Sequence, residues 1–163
     1  MKRVLITGIS GTGKSSVVIE LRARGYRAID FDYEGWTELA DVPNPGPLAP
    51  EPGKDWLWRE DRVARLLATD DAPILFIAGA APNQRKFYDR FEHVVLLSAP
   101  ASVITERLAT RTNNPYGKRP GELERVLALK ERIEPLLRSG ADVEIDTDDP
   151  LDAVVDRILR AVR

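Results

Sequence analysis

Five short runs of mostly apolar residues punctuate the chain: Val4-Leu5-Ile6, Tyr26 to Ile29, Pro73 to Ala78, His93 to Leu97 and Val143 to Asp146. Their length and their β-branched residues predict strands. Pro73-Ile74-Leu75-Phe76-Ile77-Ala78 is apolar on both alternations, as in the middle of a parallel sheet covered on two faces. Between the strands, apolar residues return at helical spacing. Val17, Val18 and Leu21 share a face after Ser15, and Gly25 is placed to stop that helix. Asp55 to Ala68 reads as an amphipathic helix with Leu57, Val63, Leu66 and Leu67 inward. Pro100 opens a helix that turns Val103, Ile104 and Leu108 inward. Glu122 to Arg138 reads as one long charged helix, and Leu151 to Val162 closes the chain.

Two stretches resist both periods. Residues 41 to 53, from Asp41 to Gly53, are a Pro/Gly loop that no helix or central strand accommodates. A loop of that length in a compact domain tends to be functional or disordered. It is read here as part of a mobile flap, about residues 33–62, over a second substrate. Thr112 to Gly121 is a shorter turn-rich break.

The first strand runs into Gly8-Ile9-Ser10-Gly11-Thr12-Gly13-Lys14-Ser15, a full match to G-x-x-x-x-G-K-[ST]. At average residue usage a chain of this length shows the pattern by chance roughly once in two hundred, and strand–loop–helix is the context it requires. Gly8 and Gly13 let backbone approach an anion where a side chain would collide. The amides of Ser10, Gly11, Thr12, Gly13, Lys14, Ser15 and Ser16, with the positive end of the helix, suit phosphate. Lys14 adds a full charge, and the Ser15 hydroxyl suits Mg²⁺.

The strand ending at Ile29 leads into Asp30-Phe31-Asp32, at the sheet edge where ligands of open parallel sheets lie. Two carboxylates there suit Mg²⁺ and its waters or a substrate hydroxyl; equally, one can be a helix cap and the other solvated. No acid closes the strand at Ala78, which leaves metal holding to Asp30 or Asp32. Arg59 and Arg62 beside Trp56 and Trp58 offer a fork for a carboxylate or phosphate, or pair with Glu60 and Asp61. Tyr33, Trp56 and Trp58 either stack a base or pack. Asn83, Gln84 and Arg85 open a short helix at the same edge, placed for an acceptor or for ordinary capping. Arg107 and Arg111 stand four apart, and Thr147 lies at the last strand's carboxyl edge, where backbone can flank a purine.

Composition narrows the field without naming a reaction. The chain has 163 residues, a net charge of −2 and no cysteine. One domain, 1–163, is expected, with no nucleic-acid or membrane partner, no disulfide and no zinc–thiolate site, in the cytoplasm, as a monomer or homodimer. A first strand beginning by residue 4 leaves no room for a signal peptide. His93, the only histidine, sits at a strand entrance and is read as structural. Charge is uneven: residues 30–61 hold nine acids and two bases, residues 107–119 four bases and no acid. That split suits a site handling a metal and a polyanion.

Together these residues resemble the P-loop small-molecule kinases: shikimate kinase, gluconate kinase and the nucleoside monophosphate kinases of the adenylate kinase group. The resemblance implies a three-layer α/β/α P-loop NTPase fold with a five-stranded parallel sheet in the order 2-3-1-4-5, a short lid at about 112–120 and an acceptor-binding flap. It implies ATP and Mg²⁺ as cofactors and transfer of the γ-phosphoryl group to a small-molecule acceptor, a nucleotide, nucleoside or other hydroxyl compound. It puts Asp30 on Mg²⁺ and Asp32 on the acceptor hydroxyl, with Arg59 and Gly79 on the acceptor side. Asn83 and Gln84, placed there by their position in the chain, have no clear counterpart in shikimate kinase, though a Gln near this place contacts the base in adenylate kinases. Arg107 would lie on adenine and Arg111 on phosphate, making Lys14, Asp32 and Arg111 the catalytic set. The Pro-rich flap and Ala80-Ala81 after Gly79 depart from shikimate kinase, so shikimate is not implied. A P-loop ATPase or regulatory nucleotide-binding module acting on a macromolecule is the alternative.

Overall fold

A computed structural model describes residues 1–46, 49–112 and 116–163. Strand β1 (Lys2–Thr7) lies at the centre of a five-stranded parallel sheet. It pairs on one side with β5 (Ile74–Ala78), which pairs in turn with β2 (Arg27–Asp30). On the other side β6 (His93–Ser98) and then β7 (Val143–Asp146) complete the order β2-β5-β1-β6-β7. Counted over these five strands alone, that is 2-3-1-4-5.

Alternation along the buried strands divides the core into layers. Val4 and Ile6 of β1 face α1 (Lys14–Ala23) and α6 (Leu151–Ala161), packing with Val17, Leu21, Val155 and Ile158. Leu5 faces the opposite layer, where α2 (Glu60–Leu67) and a 3₁₀ turn at Gln84–Arg90 contribute Val63, Leu67 and Phe87. Beyond β6 that layer continues through α3 (Ala101–Thr110), α4 (Glu122–Arg132) and α5 (Glu134–Gly140), with Leu96, Ile104, Leu108 and Val126 buried together. The result is the expected three-layer α/β/α arrangement. No helix among the described residues is long and apolar enough to cross a membrane.

Three expectations need correction. The segment 55–68 is not one helix: Lys54–Trp58 is strand β4, and helix α2 begins only at Glu60. β4 pairs antiparallel with β3 (Thr37–Asp41), an element the apolar pattern did not reveal. Asp55 and Trp58 are buried and Trp56 is exposed, without the clean alternation that marks a strand in sequence, and aromatic residues favour the pleated backbone. The Pro/Gly stretch is therefore the hairpin connection, fastened where the Val42 amide donates to the Gly53 carbonyl and the Gly46 amide to the Asp55 carboxylate. Positions 47–48 of that flap lie outside the described residues.

Second, the helix expected over Glu122–Arg138 breaks between α4 and α5 at Ile133. Pro135 cannot donate to the preceding turn and stands in the first turn of α5, where proline is tolerated. Third, α3 ends at Thr110, and Arg111 is its extended C-cap rather than a helical residue four after Arg107. Of the expected lid at 112–120, positions 113–115 lie outside the described residues.

Candidate functional site

The loop between β1 and α1 lines one end of a cleft. Gly8 admits no side chain: a Cβ there would stand 2.6 Å from the Leu97 carbonyl oxygen and 2.8 Å from Thr12 Oγ1. Gly13, the N-cap of α1, is left-handed at φ 99°, which glycine alone adopts readily. No side chain caps α1 and its first turn holds no acid, so its amides are left to an incoming anion. Lys14 folds back over the loop, its Nζ donating to the carbonyls of Gly8 at 2.6 Å and Ile9 at 3.0 Å. Burial lowers its pKa; Asp32 and Asp30 oppose that, and Arg111 adds to it. Thr12 Oγ1 donates to the Ile9 carbonyl and closes the turn.

The acidic edge faces this loop. Asp30 ends β2 opposite Ala78 and is 7 % exposed. Its Oδ2 accepts from Ser15 Oγ at 2.7 Å, and its Oδ1 accepts from the Asp32 amide at 3.0 Å. Asp32 stands at the mouth of the cleft, yet the protein atoms crowding its carboxyl raise its pKa; Lys14 opposes this and Asp30 reinforces it. β5 ends on Ala78 and Gly79, so the acids of this edge come from β2. The Ser15 hydroxyl and Asp30 carboxylate are paired hard oxygens of the kind Mg²⁺ prefers. Among the described residues no three carboxylate or imidazole groups converge as a metal cage. Two protein oxygens would leave the remaining positions of such an ion to phosphate and water.

Loop and Asp32 open on one cleft of about 360 Å³, lined by Ser10 to Val17, Asp32, Arg107, Arg111 and Thr147. At its far end Arg107 Nη1 donates to Thr147 Oγ1 at 2.8 Å, and Nη2 donates to the Thr147 carbonyl. Thr147 Oγ1 donates to the Thr12 carbonyl at 2.8 Å, tying the β7 edge to the phosphate loop. Arg111 points a guanidinium nitrogen at the Tyr116 carbonyl; burial lowers its pKa. Asp149, Leu151 and Val154 also line this end, unnoticed in the sequence because they fall on a turn and a helix start without a motif.

The residues expected on the acceptor side are dispersed. Arg59 is the N-cap of α2 and lies 3.5 Å from the Glu38 carboxylate. Arg62 caps the Trp36 ring at 3.9 Å. Trp58 is buried against Phe31 and cannot offer a face to a base, whereas Trp56 is half exposed. Gly79 is pressed against Phe31, where a Cβ would stand 3.0 Å from that residue's own Cβ. Asn83 and Gln84 are both buried and spend their amides within the fold. Asn83 Oδ1 accepts from the Trp58 amide, and its Nδ2 donates to the Trp58 carbonyl and Glu60, each at 3.0 Å. Gln84 Nε2 donates to Thr7 Oγ1 and Tyr88 Oη, and its Oε1 accepts from the Ala81 amide.

A family model described as AAA domain matches residues 4–130. A shikimate kinase of Nitrosococcus oceani is 27% identical over 168 aligned positions, covering 98% of this chain and 86% of the relative. A nucleotide-binding protein of Gluconacetobacter diazotrophicus is 30% identical over 147 positions, covering 90% of this chain, which spans only 37% of that longer protein. Among solved structures, a shikimate kinase from Acinetobacter baumannii in complex with shikimate superposes with a TM-score of 0.66 at 21% identity, over 99% of this chain and 93% of the other. A gluconokinase from Sinorhizobium meliloti gives 0.52 at 16% identity, over 99% and 91%. At those identities the structural likeness establishes a shared fold, of the P-loop kinase type.

Proposed function

The chain belongs to the AAA domain family, and on that premise we propose that it is an ATP- and Mg²⁺-dependent phosphotransferase acting on a small-molecule hydroxyl acceptor. One observation carries the reading: Asp32 lines the same cleft as Lys14 and Arg111. A carboxylate across from a phosphate cradle suits an acceptor hydroxyl, whose proton it orients or takes. Phosphoryl transfer asks chiefly for alignment and neutralised charge. The loop amides and Lys14 hold the phosphates, and Arg111 adds charge near the transferred group. Ser15 and Asp30 would hold Mg²⁺, which supplies neutralisation of the phosphate oxygens. Arg107 and the Thr147 edge flank the purine. Arg59 stays a candidate for the acceptor, on the flap that closes over it.

The reading is tested by incubating purified protein with Mg·ATP and a panel of nucleosides, nucleotides, sugar acids and aminoglycosides. One compound should stimulate ATP consumption and emerge as a phosphate ester. Lys14→Ala should lower that turnover by a factor on the order of a hundred or more; undiminished turnover would remove the mechanism. The relatives named as nucleotide-binding proteins favour a second reading, a regulatory nucleotide-binding module. Steady hydrolysis that no small molecule stimulates is its signature.

A further inference from the structure

Asp32 sits on a turn that the phosphate loop reaches only through Asp30, whose carboxylate accepts from Ser15 Oγ and from the Asp32 amide. β2 stops at Asp30, and the backbone reverses through residues 31–35 before the hairpin begins at Thr37. The turn is costly in itself: Glu34 is left-handed at φ 65° and Gly35 at φ 77°. A non-glycine residue in that region persists when its surroundings impose it.

The imposing group is Arg62. From the first turn of α2 its Nη1 donates to the Glu34 carbonyl at 2.8 Å and to the Gly35 carbonyl at 2.9 Å. The same guanidinium lies over the Trp36 ring, its carbon 3.9 Å from the centroid. Trp36 also stacks on Phe31, with ring centroids 4.7 Å apart and planes at 15°. Phe31 in turn meets Trp58 edge-on at 5.1 Å. Phe31 is the residue between Asp30 and Asp32, so the pile Arg62–Trp36–Phe31 ends on the backbone that carries both acids. Its base is secured separately, where the Arg59 amide donates to the Trp36 carbonyl at 2.8 Å.

We propose that Arg62 is a positioning residue: it clamps the 31–36 turn between helix α2 and the hairpin root, and so sets where the Asp32 carboxylate stands relative to the phosphate loop. The assignment rests on the phosphotransferase reading for its catalytic meaning, though the clamp itself does not. A planar donor suits the task, since it bonds two adjacent carbonyls and covers an indole at once; lysine supplies the bonds without the flat face. The hairpin starts at the residue after Trp36, so a substrate pressing on the flap is felt at Asp32 through the same pile.

Two measurements on the full chain test this. Hydrogen exchange compares wild type with Arg62→Ala and the milder Arg62→Lys. Amides of residues 32–35 should exchange at least about tenfold faster in Arg62→Ala while those of residues 11–15 keep their rates. In kinetics with Mg·ATP and the acceptor found in the panel, kcat should fall on the order of ten- to a hundredfold with KM for ATP within about threefold. Arg62→Lys should recover part of both effects. Unchanged exchange at residues 32–35, or a loss of ATP affinity as large as the loss of kcat, would overturn the proposal. If wild type phosphorylates no acceptor, the phosphotransferase reading fails, and the exchange comparison alone decides whether Arg62 holds the turn.

Discussion

Ser15 Oγ lies 2.7 Å from Asp30 Oδ2, so the first turn of α1 is bonded directly to the end of β2. The two residues are 15 apart in sequence and belong to non-adjacent strands' connections, yet they meet because β5 sets β2 one strand away from β1. The pair stands beside Lys14 and supplies two hard oxygens, which is why the metal is assigned to it.

Ser15→Ala and Asp30→Asn should therefore raise the Mg²⁺ concentration needed for half-maximal turnover by about 10- to 100-fold, the range typical when a group supporting a metal is lost. A Mg²⁺ titration at saturating ATP checks this. A fall in turnover that added Mg²⁺ does not recover would mean the pair serves the loop and not the ion.

Asp32 gives a prediction about stability with a definite sign. Its folded-state pKa is raised, chiefly because protein atoms around the carboxyl displace part of its water. The side chain is itself exposed at the cleft mouth, so solvent screens the effect and keeps it small. Between the ordinary aspartate value and the raised one, the folded chain holds a proton that the unfolded chain has released. Stability thus falls as pH rises through that interval, and the penalty is complete above it. Asp32→Asn should melt higher than wild type at neutral pH, and the advantage should vanish below the ordinary carboxylate range. Thermal unfolding across pH measures it; a variant less stable at neutral pH would contradict the sign.

Thr147 joins three parts of the cleft at one hydroxyl: it accepts from Arg107 and donates to the Thr12 carbonyl. Thr147→Val keeps the volume and leaves both partners short of a bond. An unfolding free energy lower by about 1–3 kcal/mol is expected, together with weaker ATP binding on the proposed reading, since Arg107 and Thr12 both line the cleft. Chemical denaturation and isothermal titration give the two numbers.

Asn83 completes a β-like exchange with Trp58 at both backbone groups, with each bond 3.0 Å long. Alanine at this position removes the partner of a buried amide and a buried carbonyl. Asn83→Ala should cost about 1–3 kcal/mol of stability, read from the midpoint of urea unfolding. A negligible change would mean that water replaces the amide and that Asn83 is free to serve an acceptor.

Local chemistry made much of this protein readable. Gly8 to Ser15 announce a phosphate cradle because glycine placement, Lys14 and Ser15 act through neighbours within one loop and one helix turn. The five sheet strands were legible because β1, β5 and β6 are apolar on both faces, a pattern with few alternatives. The missing acid after β5 directed attention to the β2 edge, where the Ser15 hydroxyl and the Asp30 carboxylate are hydrogen-bonded.

The acceptor side was decided by contacts between distant segments. Trp58 looks like part of a helix or an aromatic platform until β3 arrives from 17 to 21 residues earlier to pair with it and its neighbours. Asn83 looks like a ligand-facing amide until Trp58 takes both ends of it. Arg62 looks like a surface fork until the 31–36 turn places two carbonyls and an indole beneath it. In each case the side chain has several partners of equal chemical merit along the chain. Propensity and periodicity report only nearest neighbours, whereas strand pairing and burial select one partner from far away. The phosphate loop carries its own instructions; the residues facing it take theirs from the packing of α2 and the hairpin against the sheet.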